Sequence, residues 1–175
     1  IHFEVIDFVA PWIEQPETIL FHHGIGADPG VWNAWLPQLI DRYRIVRFDM
    51  RGYGRSVIPP ADAPWSVEIL TGDILSVADA AGVDRAHLVG ESIGGTLMLN
   101  FAIAHPARAA TLTISNGPHL GASIEGVHAW QRQLNQGGVK AWSDQFMRDR
   151  FYPGAISAEQ WNWYAAKQET WQRDS

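Results

Sequence analysis

The sequence has no cysteine, which excludes disulfide bonds and thiolate metal sites and leaves the redox compartment unassigned. It has no run of 18 apolar residues, and no basic stretch followed by an apolar one opens it. Neither a membrane span nor an intact secretion signal is therefore visible, and the default expectation is a cytoplasmic protein with no membrane partner. Clusters of lysine or arginine are also missing, and the net charge is −6. The electrostatic footprint of a nucleic-acid binder is absent, so a small molecule is the expected partner; the oligomeric state stays open.

What is present suits a folded chain: 46% hydrophobic and 18% charged residues over 175 positions are enough for one domain with a core. Nine tryptophans are unusual, and five of them follow position 125. Any single one is ordinary core material; their crowding in the last third is less ordinary.

Along the chain, short apolar runs alternate with helical patterns. "HFEVIDFVA" and "TILFH" read as strands around a turn at "EQPE". In "DPGVWNAWLPQLIDRY", Asp28 is placed to cap and Pro29 to open a helix with Trp32, Trp35, Leu36, Leu39 and Ile40 on one face, although Pro37 implies a kink or a late start. "RIVRFD" is a strand and "MRGYGRSVIPPADAP" a loop, within which Asp49 and Arg51 are expected to pair. Ser66 caps a helix whose stripe Leu70, Ile74, Val77, Ala78 and Ala81 stops at Gly82. "AHLVG" is a strand, "IGGTLMLNFAIAH" a buried helix ended by Pro106, and "AATLTIS" another strand. This alternation predicts an α/β fold, a mostly parallel sheet with helices on both faces, and ligands then bind beyond the carboxyl ends of the strands. After Gly121 three helical segments follow, the last opened by a Ser157/Gln160 capping box. They are expected to form a lid.

Ser92 stands in Gly90-Glu91-Ser92-Ile93-Gly94, where a strand ends and a helix begins. A sharp turn there pushes the serine oxygen out above the sheet in strained backbone geometry, and the small residues on either side keep the turn free of clashes. A nucleophile explains the position better than a plain helix cap. In "LFHHGIGAD" another strand ends in a glycine-bearing loop, and the backbone N–H groups of Ile25 and Ile93 are the expected pair around a developing oxyanion, with Gly24 and Gly26 letting the loop bend. By itself that loop also fits a phosphate cradle. It lacks the lysine of a P-loop and the three-glycine spacing of a dinucleotide site.

Taken together, "HHGIGAD", "FDMRGYGRS" and "VGESIGG" resemble the α/β-hydrolase superfamily in kind, order and spacing, and "QLNQGGVKAWSDQFMRDRFYP" resembles the cap of 3-oxoadipate enol-lactonases and related small carboxylesterases. The resemblance implies residues 1–120 as the core and 121–175 as the cap. It implies a cofactor-free, metal-free serine hydrolase in which Ser92 attacks an ester or lactone carbonyl, a histidine serves as base, and an aspartate orients it. His22 and His23 are then expected to shape the oxyanion loop, with Gly24, Gly90 and Gly94 supporting the turn. Trp130, Trp142, Phe146 and Trp161 are candidates for the pocket wall or for cap core, and Arg132, Lys140, Arg148 and Arg150 are cations available to an anionic substrate or to solvent.

The family order is serine, acid, histidine, with acid and base after the cap. No histidine here occupies the family's base position, so both partners are expected beyond residue 175, with His119 as a substitute base. Ile1 at the start and "QRDS" at the end set the expectation of a portion of a longer hydrolase. Two alternatives remain: the same fold cleaving a carbon–carbon bond or acting as a cofactor-free haloperoxidase, and a non-catalytic ligand-binding protein or inactive fragment.

Overall fold

The computed structural model describes residues 1–118, 127–169 and 171, the side chains of 127 and 128 excepted. His119 lies outside the described residues, as does the side chain of His128. The chain divides into two compact units, Ile1–Gly121 and Ala122–Ser175.

The first unit is built on a five-stranded sheet: β1 (Phe3–Ile6), β2 (Thr18–His22), β3 (Arg44–Phe48), β4 (Ala86–Glu91) and β5 (Ala109–Ser115), in the order β1-β3-β2-β4-β5. Only β1 runs antiparallel, pairing Phe3 with Phe48 and Ile6 with Ile45. The rest is parallel, in the register Leu20 to Val46 and to Leu88, and Leu88 to Leu112. All five residues of β2 are buried, as a central strand covered on both faces requires. Between strands run α1 (Val67–Ala80) and α2 (Ile93–Ala104), which pack on each other.

Alternation along β2 sends Ile19 and Phe21 to one face, where they join Trp32 and Ile45, and Leu20 and His22 to the face on which α2 lies. The predicted cap of α1 is formed, Ser66 Oγ accepting the Ile69 N–H at 3.2 Å, and Ile74, Val77, Ala78 and Ala81 are buried as its stripe foretold.

The helix expected over residues 29–43 is instead two 3-10 turns, Pro29–Trp32 and Leu36–Gln38. Asp28 caps the first, accepting the Gly30 N–H at 2.8 Å. Pro37 supplies no N–H for the Asn33 carbonyl one turn back, which stops an α-helix from running through. Trp32 is buried, whereas Trp35 is half exposed. β1 is likewise shorter than its pattern, ending at Ile6 with Phe8 in solvent.

The second unit consists of α3 (Val127–Arg150), broken at Gly138 where φ is 70°, and α4 (Ala158–Glu169). The capping box is present: Ser157 N–H donates to Gln160 Oε1 at 2.8 Å and Gln160 N–H to Ser157 Oγ at 3.2 Å. A buried bond from Ser143 Oγ to Gln168 Oε1, 2.6 Å, ties the two helices together.

Candidate active site

A single residue, Ser92, separates the end of β4 from the start of α2. Its φ of 54° and ψ of −126° lie where a side chain is strained, at a typical cost of about 1–3 kcal/mol. The backbone on both sides holds it there: Ser92 N–H donates to Ser115 O at 2.9 Å, and its carbonyl accepts the Thr96 N–H at 3.2 Å. Strand and helix leave the turn in contact, since a Cβ on Gly90 would stand 2.5 Å from the Gly94 carbonyl group. That close approach accounts for the glycines two residues either side of the serine. Ser92 itself is half-buried, at the positive end of the α2 dipole where the first-turn N–H groups have no intrahelical acceptor.

The loop after β2 reaches the same place. A Cβ on Gly24 would meet Ser92 Cβ at 2.8 Å and the Glu91 carbonyl at 3.1 Å, so only glycine lets the loop pass so near the serine. Gly26, with φ of 79°, turns the chain away again. Ser92, Gly24, Gly90 and Gly94 are therefore neighbours, and Ile25 and Ile93 each follow directly on one of them.

Two buried histidines precede Gly24. His22 Nδ1 lies 2.7 Å from His23 O, and His23 Nδ1 lies 2.9 Å from Gly24 O. Burial, and secondly the neighbouring His23, lower the His22 pKa from the ordinary histidine value to about 3, so this ring is neutral at any working pH. His23 Nε2 accepts the Met50 N–H at 3.0 Å. No histidine ring hydrogen-bonds Ser92 among the described residues, and neither of these two is placed as a base.

The Met50 contact escaped sequence reasoning because a backbone N–H carries no sequence signature. The loop after β3 also corrects one expectation: Arg51 pairs with Asp73 of α1, with bonds of 2.8 and 2.6 Å, rather than with Asp49. Asp49 is buried and accepts the Arg55 N–H at 3.2 Å, while Ser56 Oγ donates to its carbonyl at 2.6 Å. The Asp49 carboxylate instead serves Arg55 of the same turn, through its backbone N–H and, at 3.9 Å, its Nε.

In the second unit Trp130, Trp142 and Phe146 form one aromatic group: Trp142 stacks on Phe146 at 4.7 Å, and Trp130 meets both edge-on at 6.1 and 5.4 Å. Trp142 is 4% exposed, so it is core of this unit; Trp130 and Phe146 remain partly accessible. Trp161, half-buried on α4, takes no part in these described ring contacts. Of the cations, Lys140 pairs with Asp144 and Glu169, Arg148 bonds Gln145, Arg150 lies against the rings of Phe146, Phe151 and Tyr164, and Arg132 is exposed. No helix among the described residues is long and apolar enough to cross a membrane.

The family model described as the alpha/beta hydrolase fold matches residues 17–158, most of the chain and all three motifs. The chain belongs to the α/β-hydrolase family. Among curated α/β-hydrolase relatives, the RutD protein of Caulobacter segnis, named for a proposed carbamate hydrolase activity, is 34% identical over 132 residues, which cover 72% of this chain and 48% of that protein. The likewise named RutD of Klebsiella pneumoniae is 31% identical over 138 residues, 76% of this chain and 50% of that one. The chain thus spans about half the length of the curated relatives it matches. Among solved structures, a hydrolase from Pseudomonas aeruginosa superposes with a TM-score of 0.85 at 24% identity, covering 98% of this chain and 63% of that one. The enol-lactonase from Burkholderia xenovorans gives 0.80 at 20%, covering 99% and 65%. At these identities the two structures share the α/β-hydrolase fold, and nothing finer is carried over from them.

Proposed function

We propose that this chain carries the nucleophile half of a serine hydrolase that acts on a small carboxylic ester, lactone or related acyl compound through an acyl-enzyme intermediate. The observation that carries the reading is the φ of 54° at Ser92, beside a glycine loop that no side chain could let so close. A strained serine between a strand and a helix makes sense as an oxygen held out for attack.

In this mechanism Ser92 Oγ adds to the substrate carbonyl, its proton passing to a histidine base that an acid orients. The carbonyl oxygen becomes the oxyanion, held by the N–H groups of Ile25 and Ile93, each such donor typically contributing about 3 kcal/mol. The proton then goes to the leaving oxygen, and water, deprotonated in turn by the histidine, frees the acid. The α2 dipole supports the same charge. The family places base and acid after the cap, and the reading assigns them there. Small-molecule substrate, no cofactor and a cytoplasmic location complete the proposal.

The names of the RutD relatives favour a carbamate as a second acyl class, one the same steps accommodate because a carbamate carbonyl also passes through a tetrahedral oxyanion. The test is fluorophosphonate labelling of the full-length protein and of Ser92→Ala, with rates on ester, lactone and carbamate panels. One adduct, lost in Ser92→Ala together with turnover, is the expected result. Labelling that survives in Ser92→Ala would refute the reading by putting the nucleophile elsewhere, and no labelling in the parent would refute it in favour of a ligand-binding protein on this fold.

A further inference from the structure

We propose that Thr96 is a positioning residue whose hydroxyl fastens the turn after β5 onto the nucleophile turn and so keeps Ser92 in its strained conformation; the inference rests on the reading of Ser92 given above. Among the described residues two that are not glycine have a positive φ, Ser92 at 54° and Asn116 at 61°. They are neighbours in space. β5 ends at Ser115, whose carbonyl accepts the Ser92 N–H at 2.9 Å, and Asn116 follows directly. Its left-handed backbone turns the chain over the nucleophile, where a Cβ on Gly117 would stand 3.0 Å from the Ser92 carbonyl oxygen and 3.3 Å from Gly95 Cα. Pro118 closes the turn, its carbonyl accepting the Thr96 Oγ1 hydrogen at 2.7 Å.

Two strained residues side by side persist only if something outside them holds both. Ser92 makes no side-chain cap on α2, and the exposed Asn116 amide makes no hydrogen bond among the described residues. Residues 116–118 likewise make no backbone–backbone hydrogen bond among the described residues. The Thr96 hydroxyl is therefore the bond that ties this turn down.

The choice of partner sets Thr96 apart from the other helical hydroxyls. A serine or threonine inside a helix commonly bonds the carbonyl one turn back, as Thr71 does with Val67 O at 2.8 Å and Ser76 with Gly72 O at 2.9 Å in α1. One turn before Thr96 is Ser92, whose carbonyl takes the Thr96 N–H at 3.2 Å, while the hydroxyl reaches a residue 22 positions further along the chain. Thr96 thus holds the nucleophile's own carbonyl with its backbone and the turn packed on that carbonyl with its side chain. Without the hydroxyl the turn lifts, the bond from Ser92 N–H to Ser115 O slackens, and Ser92 is free to relax towards ordinary backbone angles. Its Oγ then leaves the place from which it attacks.

The experiment uses the full-length protein and p-nitrophenyl acetate. Thr96→Val keeps the shape and removes the hydroxyl; Thr96→Ser keeps the hydroxyl. Expected is a kcat about tenfold lower in Thr96→Val, less than the ~10² that a 1 Å misplacement can cost, with KM within about twofold. Thr96→Ser is expected to recover most of that loss. Adding Asn116→Gly to Thr96→Val should also recover part of it, because glycine takes a left-handed φ without steric cost and the turn then needs less holding. A Thr96→Val protein that is folded by circular dichroism and keeps its kcat overturns the proposal, as does a Ser variant no better than Val or a double variant with no recovery. Should Thr96→Val not fold, position 116 decides with Thr96 intact: a kcat lowered in Asn116→Ala and kept in Asn116→Gly supports the proposal, and both or neither lowered overturns it. Ser92→Ala runs alongside, so that turnover surviving there marks failure of the underlying reading instead.

Discussion

Alanine at position 94 sets two physical effects against each other. Helix propensity favours it, since replacing glycine inside a helix typically gains about 1 kcal/mol. The packing opposes it: the new Cβ would lie 2.5 Å from His23 O, 2.6 Å from His22 O and 2.7 Å from His22 Nδ1. Two of these atoms are backbone and the third belongs to a wholly buried ring, so none can swing aside as a flexible tip would. α2 must retreat by ~1 Å, and forcing a methyl into such packing costs about 1–3 kcal/mol. The steric term wins, leaving a net loss of up to about 2 kcal/mol.

Gly72→Ala provides the matched control. It is the same substitution in α1, at an exposed position where a Cβ meets nothing within 4 Å, and a gain of about 0.5–1 kcal/mol is expected. Urea unfolding should therefore move the two midpoints in opposite directions at similar m values. Hydrolysis should fall at least about tenfold in Gly94→Ala, since the retreat carries Ser92 away from the Gly24 loop, and stay level in Gly72→Ala. A Gly94→Ala protein as stable as the parent and fully active would refute the close approach between the β2 loop and α2.

Ser92→Gly should trade activity for stability. The serine side chain makes no capping bond at α2, so the change loses no cap while relieving the strain at φ 54°; a gain of about 1 kcal/mol by urea unfolding is expected, and a loss would show the backbone to be relaxed. His22 makes a pH prediction. Its folded pKa is about 3 and its ordinary value 6.5, so between these values the unfolded chain binds the extra proton. The ring's contribution to stability is complete above pH 6.5 and is lost progressively as pH falls towards 3. A folded His22→Leu protein should accordingly show a shallower decline of stability across that window, and an unchanged slope would contradict the burial of the ring.

Much of this was legible in the sequence because it is written over short distances. The two glycines flanking Ser92, the Ser66 cap, the Ser157/Gln160 box and the stripe from Ile74 to Ala81 each depend on residues within one or two turns of one another, and local sterics and hydrogen bonding decide them. The strand and helix alternation that announces an α/β fold is of the same kind, since period and length are local properties. What tertiary structure decided involves partners far apart in the chain. Arg51 finds Asp73 rather than its neighbour Asp49 because α1 passes within reach, and 22 residues of spacing carry no sign of that. The segment from Pro29 to Gln38 has the pattern of an amphipathic helix, yet Pro37 and the packing of Trp32 against β2 leave it as two tight turns. The Met50 N–H reaches the His23 ring only because the ends of β2 and β3 lie side by side in the sheet. A glycine motif can say that a serine will be held out at a turn; which backbone groups are then aimed at it depends on long-range packing, because a peptide plane is oriented by whatever its carbonyl can bond.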